Sequence, residues 1–186
     1  MRPKSGYTSI GNHCLAVLPN ILAPGLAIVF CGTAVSNVSA QRSAYYAGPG
    51  NMFWPTLYEI GLTPRRLQPK EFREVLSFGL GLTDLVKAVS GVDTQLRDEH
   101  FDRERLRATI LRYAPKILAF TSKRAGSEFL DRPVKYGLQP EKVGSTALFV
   151  LPSPSGAARR WWDVRQWQEL ARLREQMSLL QITDMG

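Results

Sequence analysis

The stretch Ala27–Gly32, which reads AIVFCG, contains the first predicted strand of the chain. A continuous apolar run that ends at glycine is typical of a strand buried on both faces of a parallel sheet. The next segment, Thr33–Gly50, is rich in serine, glycine and other small residues, and it predicts a long loop at the carboxyl end of this first strand. Because open α/β sheets bind ligands at that edge, we expect chemistry in this loop.

Further helix and strand signals alternate along the chain. Amphipathic or apolar segments that stop at glycine or proline predict helices, and short continuous apolar runs predict strands. The predicted helices are Met52–Ile60, Pro69–Phe78, a segment from its cap Asp102 to Tyr113, Ser122–Leu130 and a long one from Trp161 to Leu180, and the further strands are Lys116–Thr121 and Thr146–Leu151. This alternation predicts a three-layer α/β/α fold around a short, mainly parallel sheet.

The composition fits one compact domain with a polyanionic partner. The 186 residues are 44% hydrophobic, which is enough for one sizeable core and too little for two large ones. We expect a loose N-terminal tail at residues 1–20 and a single domain at residues 21–186, with a monomer as the default. The 24 Lys and Arg residues exceed the 16 Asp and Glu residues, and the net charge of +8 favours nucleic acid as the partner.

Cysteine, histidine and apolar patterns exclude several protein classes. Two cysteines cannot build a disulfide framework, and two histidines show no zinc-binding spacing, so we expect a reduced, intracellular protein without a metal. The longest apolar stretch, Leu22–Val35, contains proline and glycine and is shorter than the roughly 20 residues of a membrane span. The N-terminal region has no continuous apolar segment of a secretory signal, which favours a cytoplasmic location.

Three separated segments carry a family resemblance. They are Leu22–Leu26 (LAPGL) running into Phe30–Gly32 (FCG), Ala47–Trp54 (AGPGNMFW) and Leu151–Gly156 (LPSPSG). Each is weak alone, since Gly-Pro loops and Pro-Ser turns are common, but their order and spacing are specific, and Gly81–Val86 (GLTDLV) lies between them. Over roughly Ile21–Leu170, the chain resembles the mismatch-specific uracil-DNA glycosylase and thymine-DNA glycosylase family.

The resemblance implies both a fold and an activity. The implied fold is the α/β/α fold of uracil-DNA glycosylases. The implied activity is that of a monofunctional DNA repair enzyme. The implied location is a bacterial-type cytoplasm, where the enzyme associates with the nucleoid through DNA. Such an enzyme flips uracil out of DNA, best from a mismatch with guanine, and hydrolyses the N-glycosidic bond to leave an abasic site. No metal or organic cofactor is implied. The implied partner is DNA that contains uracil or another deaminated base.

This sequence departs from the family at the position of the residue that activates water. The family's first motif, Gly-Ile-Asn-Pro-Gly, aligns with Gly32–Ser36, so Ala34 replaces the asparagine that orients water. A methyl group cannot hydrogen-bond water. Asn37 has the right side chain, but its shift of three positions along the loop disfavours it as a substitute for the missing amide. Asp84 is the predicted catalytic residue, because a carboxylate can polarise water and stabilise positive charge on the sugar. The alternative interpretation of Asp84 is a helix-capping or loop carboxylate.

Base recognition follows from the same resemblance. Tyr46 aligns with the family's aromatic residue that stacks on the extruded base, and backbone groups of Thr33, Ala34 and Tyr46 are expected to read the base edge. The alternative interpretation of Tyr46 is an aromatic residue on the rim of the site without a stacking role. For the neighbouring Tyr45, this rim interpretation is the favoured one. Because Ala34 removes a polar constraint, the excised bases can also include hypoxanthine or xanthine. Asn51 is expected to tie its loop together or to cap the next helix.

The last motif predicts the DNA contacts. The residues that match it are Ser153, Pro154, Ser155, Gly156, Ala157 and Arg159. In the family, the residues after the glycine enter the gap left by the flipped nucleotide. Ala157 stands where a larger apolar wedge is usual, so we expect weaker recognition of the opposite base, with Arg159 or Arg160 compensating through phosphates or by insertion. Trp161 and Trp162 are interpreted as core or rim packing.

Two other functions remain open from the sequence. A damage-binding protein on a glycosylase scaffold, catalytically weak or inactive, is also consistent with the missing asparagine. A small nucleotide-binding α/β protein is the second alternative, because glycine-containing loops such as the one at Gly32 often bind phosphate. This loop lacks both the Gly-Lys-Ser/Thr ending and the Gly-x-Gly-x-x-Gly pattern, which disfavours the second alternative.

Overall fold

Five strands form one sheet in the computed structural model, which describes residues 17–91, 96 and 100–183. The strands are β1 (Ile28–Ala34), β2 (Leu80–Val86), β3 (Ile117–Phe120), β4 (Gly137–Val143) and β5 (Thr146–Val150). Their order is β2-β1-β3-β5-β4; neighbouring strands are parallel except that β4 runs antiparallel to β5. The carboxyl ends of the parallel strands therefore meet at one edge of the sheet.

Helices cover both faces of this sheet. They are α1 (Asn37–Gln41), α2 (Phe53–Glu59), a first 3₁₀ helix (Pro69–Phe78), α3 (Arg103–Tyr113), α4 (Lys123–Leu130), a second 3₁₀ helix (Gly156–Trp161) and α5 (Val164–Thr183). The hydrophobic core on one face includes residues of α2, the first 3₁₀ helix and α5, and the core on the other face includes residues of α3 and α4. The predicted three-layer α/β/α fold is confirmed.

Strand β1 shows how the sequence builds these layers. Its side chains alternate between the faces, so Ile28 and Phe30 join one core, and Val29 and Cys31 join the other. Phe30 packs edge-on against Phe53 of α2, with ring centroids 5.2 Å apart. Because both faces are covered, the strand needs apolar side chains at every position, as in the continuous run that predicts it.

Local signals at the ends of the helices are confirmed. Asp102 accepts a hydrogen bond from the backbone N–H of Arg105 at 2.9 Å and caps α3. Ser122 accepts one from the backbone N–H of Ala125 at 3.0 Å and caps α4. Gly79, with a φ of 71°, ends the first 3₁₀ helix in the left-handed conformation that favours glycine.

The bounds of the predicted loop after β1 are wrong. Strand β1 continues through Thr33 and Ala34, because β2 extends alongside it and pairs Val86 with Ala34. Helix α1 then occupies part of the same predicted loop. Since β2 runs through Asp84, the interpretation of this residue as a helix cap is also wrong.

Two further elements differ from the sequence-based prediction. The sequence does not predict β4, because Pro140, Glu141 and Lys142 interrupt its apolar pattern. A strand at the edge of a sheet tolerates proline and charge, since one side of it has no neighbouring strand. The long C-terminal helix begins at Val164 rather than at Trp161, which ends the second 3₁₀ helix.

The predicted tail at residues 1–20 lies mostly outside the described residues. Its described end is packed rather than loose, since Leu18 is buried and the backbone N–H of Val17 donates to the carbonyl oxygen of Lys87 at 3.0 Å. Asn20 accepts a hydrogen bond from the hydroxyl of Thr83 in β2 at 2.7 Å. Residues 17–20 therefore pack alongside β2.

Candidate functional site

A cavity of about 610 Å³ opens at the carboxyl edge of the sheet. Its walls come from the end of β1 and the residues after it, the loop before α2, Asp84 of β2, the residues between β3 and α4, and the segment from β5 into the second 3₁₀ helix. A cavity of this size fits the usual range of small-molecule sites. Because segments distant in sequence converge on it, we take this cavity as the candidate functional site.

Asp84 is almost fully buried and lines this cavity. In the parallel register it lies opposite Gly32 of β1. A Cβ atom on Gly32 would lie 2.8 Å from Oδ1 of Asp84, so the absence of a side chain at Gly32 makes room for the carboxylate. The second oxygen, Oδ2, accepts a hydrogen bond from Nζ of Lys87 at 3.1 Å, within an ion pair. A strand, a glycine and a lysine thus fix the carboxylate in the cavity wall.

Lys87 and Tyr45 form a buried charge cluster with Asp84. Nζ of Lys87 also donates to the hydroxyl of Tyr45 at 2.7 Å and to the carbonyl oxygen of Leu18 at 3.1 Å. The Tyr45 hydroxyl donates to the carbonyl oxygen of Pro19 at 3.1 Å. Burial raises the pKa of the Tyr45 phenol far above its usual value, and the negative charge of Asp84 raises it further. The phenol is therefore neutral at pH 7.

Tyr46 presents an aromatic ring to the cavity. Its backbone is left-handed, with a φ of 52°, and its ring stacks on Phe53 with centroids 3.8 Å apart and planes 12° apart. Its hydroxyl shares a hydrogen bond of 3.3 Å with Oγ1 of Thr121. Burial, followed by the charge of Asp84, raises the pKa of the Tyr46 phenol well above its usual value. Phe53 therefore covers one face of the Tyr46 ring.

The end of β1 places Thr33 and Ala34 in the cavity wall. Oγ1 of Thr33 shares a hydrogen bond of 3.0 Å with Oγ of Ser122, which connects this wall to the start of α4. Ala34 adds only a methyl group. Asn37 is exposed at the start of α1 and is not among the residues that line the cavity, so it does not supply the amide that Ala34 lacks.

Two loops of the cavity wall hold each other in place. The backbone N–H of Met52 donates to the carbonyl oxygen of Pro154 at 2.8 Å. A Cβ atom on Gly156 would lie 2.5 Å from the carbonyl oxygen of Pro49, so only glycine permits this approach. Oδ1 of Asn51 accepts a hydrogen bond of 2.9 Å from the first N–H of α2, which confirms its predicted role at the start of that helix.

The second 3₁₀ helix, Gly156–Trp161, lies at the edge of the cavity and is named the rim helix here. Arg159 and Arg160 are exposed, and the guanidinium carbon of Arg160 lies 4.8 Å from the centre of the Trp161 ring. Trp161 lines the cavity and is itself exposed. Trp162 instead packs against the hydrophobic core, which confirms its interpretation as a packing residue.

Most of the predicted site residues lie around this one cavity. Those that line it are Thr33, Ala34, Tyr46, Asp84, Ser153, Pro154, Ser155, Gly156 and Ala157. Arg159 is not a lining residue and is exposed on the rim helix. The sequence does not reveal Lys87, although a lysine shortly after an aspartate at the end of an apolar run is a possible ion-pair signal. Tyr45, interpreted as a rim aromatic, is buried.

The described residues carry neither a membrane-spanning helix nor a cluster of metal-binding side chains. None of their helices is long and apolar enough to cross a membrane. The same residues include no group of three or more His, Cys, Asp and Glu side chains that can hold a metal ion. Cys14 lies outside the described residues, and Cys31 is a buried thiol whose pKa is raised by burial and then by the charge of Asp84.

Comparisons with known proteins match most of the chain. The model of the family described as the uracil DNA glycosylase superfamily matches residues 19–175. A solution NMR structure from Methanosarcina acetivorans, described as that of a candidate uracil DNA glycosylase, matches with a TM-score of 0.62 and 23% sequence identity. This match covers 87% of the present chain and 97% of the Methanosarcina chain. At this level of identity, the structural match supports the fold alone.

Proposed function

Because this chain belongs to the uracil DNA glycosylase superfamily, we propose that it is a DNA repair glycosylase that removes uracil, best from a mismatch with guanine, and leaves an abasic site. The observation that carries this proposal is the cavity at the sheet edge, which is lined by both a buried carboxylate, Asp84, and an aromatic ring, Tyr46. We take residues 21–186 as one domain that acts as a monomer on DNA in the cytoplasm. The preference for the mismatch rests on the motifs that resemble the mismatch-specific family.

Binding of an extruded base begins at Tyr46. The ring already stacks on Phe53, so the base can extend this stack from the other side. Hydroxyl groups of Thr33 and Ser122, together with backbone groups of Thr33 and Ala34, are available to hydrogen-bond the polar edge of the base. A planar ring with several donors and acceptors on its edge, such as uracil, fits this combination of a stacking surface and polar groups.

Hydrolysis requires that a water oxygen bond to C1′ of the deoxyribose while the bond from C1′ to the base nitrogen breaks. The electron pair of the broken bond leaves with the base, which takes up the proton released by the water. We assign to Asp84 the stabilisation of positive charge on the sugar and the orientation of the water. Lys87 binds Oδ2, and Oδ1 is the oxygen that faces Gly32 at the cavity wall.

Ala34 distinguishes this site from the family motif and has two consequences. Without an amide at this position, the site places fewer polar demands on the base, so we expect hypoxanthine and xanthine as further substrates. The same substitution favours the second candidate function, in which the protein binds damaged DNA with little or no base release. Asp84 is the residue that separates these two functions, since the enzyme requires it for chemistry and the binding protein does not.

DNA contacts are assigned to the segment that leads into the rim helix. Ser153, Pro154, Ser155 and Gly156 lie in the cavity wall and would contact the backbone around the extruded nucleotide. Ala157 is exposed at the cavity and enters the vacated stack only as far as a methyl group allows. Arg159 is exposed nearby and supplies positive charge for phosphate.

The proposed function is tested with end-labelled duplexes that contain one modified base. Uracil opposite guanine, uracil opposite adenine, hypoxanthine and xanthine are each incubated with the protein and then treated with hot alkali, which cuts abasic sites. An undamaged duplex is the control. We expect cuts only after the alkali step, with uracil opposite guanine cut most, and with some release of hypoxanthine or xanthine.

Binding to the same duplexes is measured by fluorescence anisotropy at several salt concentrations, because phosphate contacts make affinity salt-dependent. Tight, damage-selective binding without base release would support the damage-binding alternative over the enzyme. Excision confined to uracil would contradict the wider base range. A protein that neither releases a base nor binds damaged DNA selectively would contradict both functions.

A further inference from the structure

Trp161 combines a large apolar surface with high exposure. Its side chain is 66% exposed, the largest fraction among the exposed large apolar side chains in the described residues. Trp54 and Trp167 are buried by contrast, and Trp162 is half-buried against the core. A tryptophan left in water at the edge of a cavity is a common mark of a binding surface, because its burial in a complex removes much apolar area from water.

The position of Trp161 points to the partner. The residue lines the cavity and ends the rim helix, whose start is fixed by the close approach of Gly156 to Pro49. Ala157, at the place of the usual wedge, adds only a methyl group to the same helix. Trp161 is therefore the one large apolar side chain of the rim helix, and it stands at the edge of the cavity that an extruded base would enter.

Charge around the ring favours nucleic acid over protein. Between Gly156 and Trp162 the sequence contains Arg159 and Arg160 and no acidic residue. The guanidinium group of Arg160 lies 4.8 Å from the ring centre, so a cation and an aromatic face are presented together. Single-stranded and opened nucleic acids bind to such combinations, in which the ring stacks on a base and the cation contacts the backbone.

We propose that Trp161 stacks on a nucleobase of bound DNA next to the nucleotide whose base enters the cavity, and that Arg160 contacts the adjacent phosphate. This inference rests on the proposed function, since it assumes that opened DNA occupies the cavity. The ring takes over the filling of the disrupted base stack, which the methyl group of Ala157 cannot provide. Every base has a flat face, so the contact supports affinity with little dependence on sequence.

The experiment compares the wild type with Trp161→Ala, Trp161→Phe and the control Tyr58→Ala. Tyr58 is also an exposed aromatic residue, at 51%, but it does not line the cavity. The duplex carries a tetrahydrofuran abasic analogue opposite guanine, which cannot be hydrolysed, so binding is measured without turnover. Anisotropy gives the Kd, and tryptophan emission is recorded during the same titration.

We expect Trp161→Ala to raise the Kd about tenfold, within the range for loss of one base-stacking aromatic side chain. Trp161→Phe keeps a smaller ring and should raise the Kd less, by about threefold. Tyr58→Ala should bind as the wild type does. DNA should quench tryptophan emission of the wild type, and Trp161→Phe should remove most of that quenching. Unchanged affinity in Trp161→Ala, or equal quenching in Trp161→Phe, would overturn the proposal.

Two controls separate this inference from the proposed function. Absence of uracil release by the wild type would contradict the proposed function, but the binding measurement on the abasic duplex would still decide the role of Trp161. Size-exclusion chromatography tests whether a second copy covers the ring instead. A wild-type dimer that Trp161→Ala converts to a monomer, with no change in Kd for the duplex, would overturn the DNA assignment.

Discussion

The buried charge cluster of Asp84, Lys87 and Tyr45 and the rim helix Gly156–Trp161 lie at the same cavity and are built in opposite ways. In the cluster, the side chains of Asp84 and Lys87 are only 3% and 11% exposed and bind each other. On the rim helix, Trp161 is 66% exposed. Under the proposed function, residues of the cluster would support both the fold and the chemistry, whereas residues at the end of the rim helix would serve binding alone.

The physical cause of this difference is the availability of water. A charge in the cluster that loses its partner remains buried, where water cannot replace the lost contact. An arginine or tryptophan removed from the rim leaves its neighbours in contact with solvent. Substitutions in the cluster should therefore mainly lower the free energy of unfolding, whereas substitutions on the rim helix should mainly lower the affinity for DNA.

The largest expected effect comes from Lys87→Met, which breaks the cluster. The change leaves the buried carboxylate of Asp84 without its ion-pair partner, so we expect the free energy of unfolding to fall by about 3 to 5 kcal/mol. Chemical denaturation at pH 7 measures it. The matched control is Arg65→Met, because Arg65 pairs with Glu71 at the surface, with side chains 48% and 26% exposed.

Arg65 also pairs with the exposed Glu74, and loss of these surface pairs should cost far less than loss of the buried pair, because solvent screens exposed charges. The double variant Lys87→Met with Asp84→Asn should recover part of the lost stability, because it removes both charges. Equal and small losses for Lys87→Met and Arg65→Met would show that the cluster is no more important to the fold than a surface ion pair, and the comparison of the two regions would fail.

Gly156→Ala tests the point where the rim helix is anchored to the fold. The new methyl group would lie 2.5 Å from the carbonyl oxygen of Pro49, so the two loops must separate. We expect a loss of about 1 to 3 kcal/mol in the free energy of unfolding, as for other overpacked sites, together with slower base release. Gly48→Ala is the control, because a Cβ atom there meets no atom within 4 Å. Similar melting temperatures for the two variants would contradict the anchoring role of Gly156.

The smallest effect on stability is expected for Arg159→Ala on the exposed side of the rim helix. The free energy of unfolding should change by less than about 0.5 kcal/mol, since the side chain is exposed. The slope of log Kd against log salt should decrease by the amount that one phosphate contact contributes, which is about 1. Arg172→Ala, at an exposed position of α5, should leave that slope unchanged. Equal slopes for both variants and the wild type would remove Arg159 from the DNA interface.

Much of the fold could be predicted because its central strands are buried on both faces. Ala27–Gly32 and Thr146–Leu151 give continuous apolar runs, and Asp102 gives a helix cap that the structure contains. Strand β4 could not be predicted in this way, because an edge strand carries proline and charged side chains. The strand at Leu80–Val86 is not predicted because Asp84 interrupts its apolar pattern; in the structure Lys87 pairs with this buried carboxylate.

The candidate site was partly predictable for a similar reason. Motifs with glycine and proline indicate turns and close approaches of the backbone, so the sequence alone predicts the loops around Pro49 and Gly156. The hydrogen bond between Lys87 and Tyr45 depends on how the end of β2 packs against the loop before α2, which no local pattern contains. The exposure of Trp161 likewise depends on where the rim helix ends.

The most direct test of the account is single-turnover release of uracil opposite guanine by the wild type and Asp84→Asn. The variant keeps the shape of the side chain and removes its charge, and a thermal melt confirms that it is folded. We expect release at least about 100-fold slower, with a Kd for the abasic-analogue duplex within about threefold of the wild type. A folded Asp84→Asn variant that releases uracil at the wild-type rate would contradict the assignment of the chemistry to the buried carboxylate.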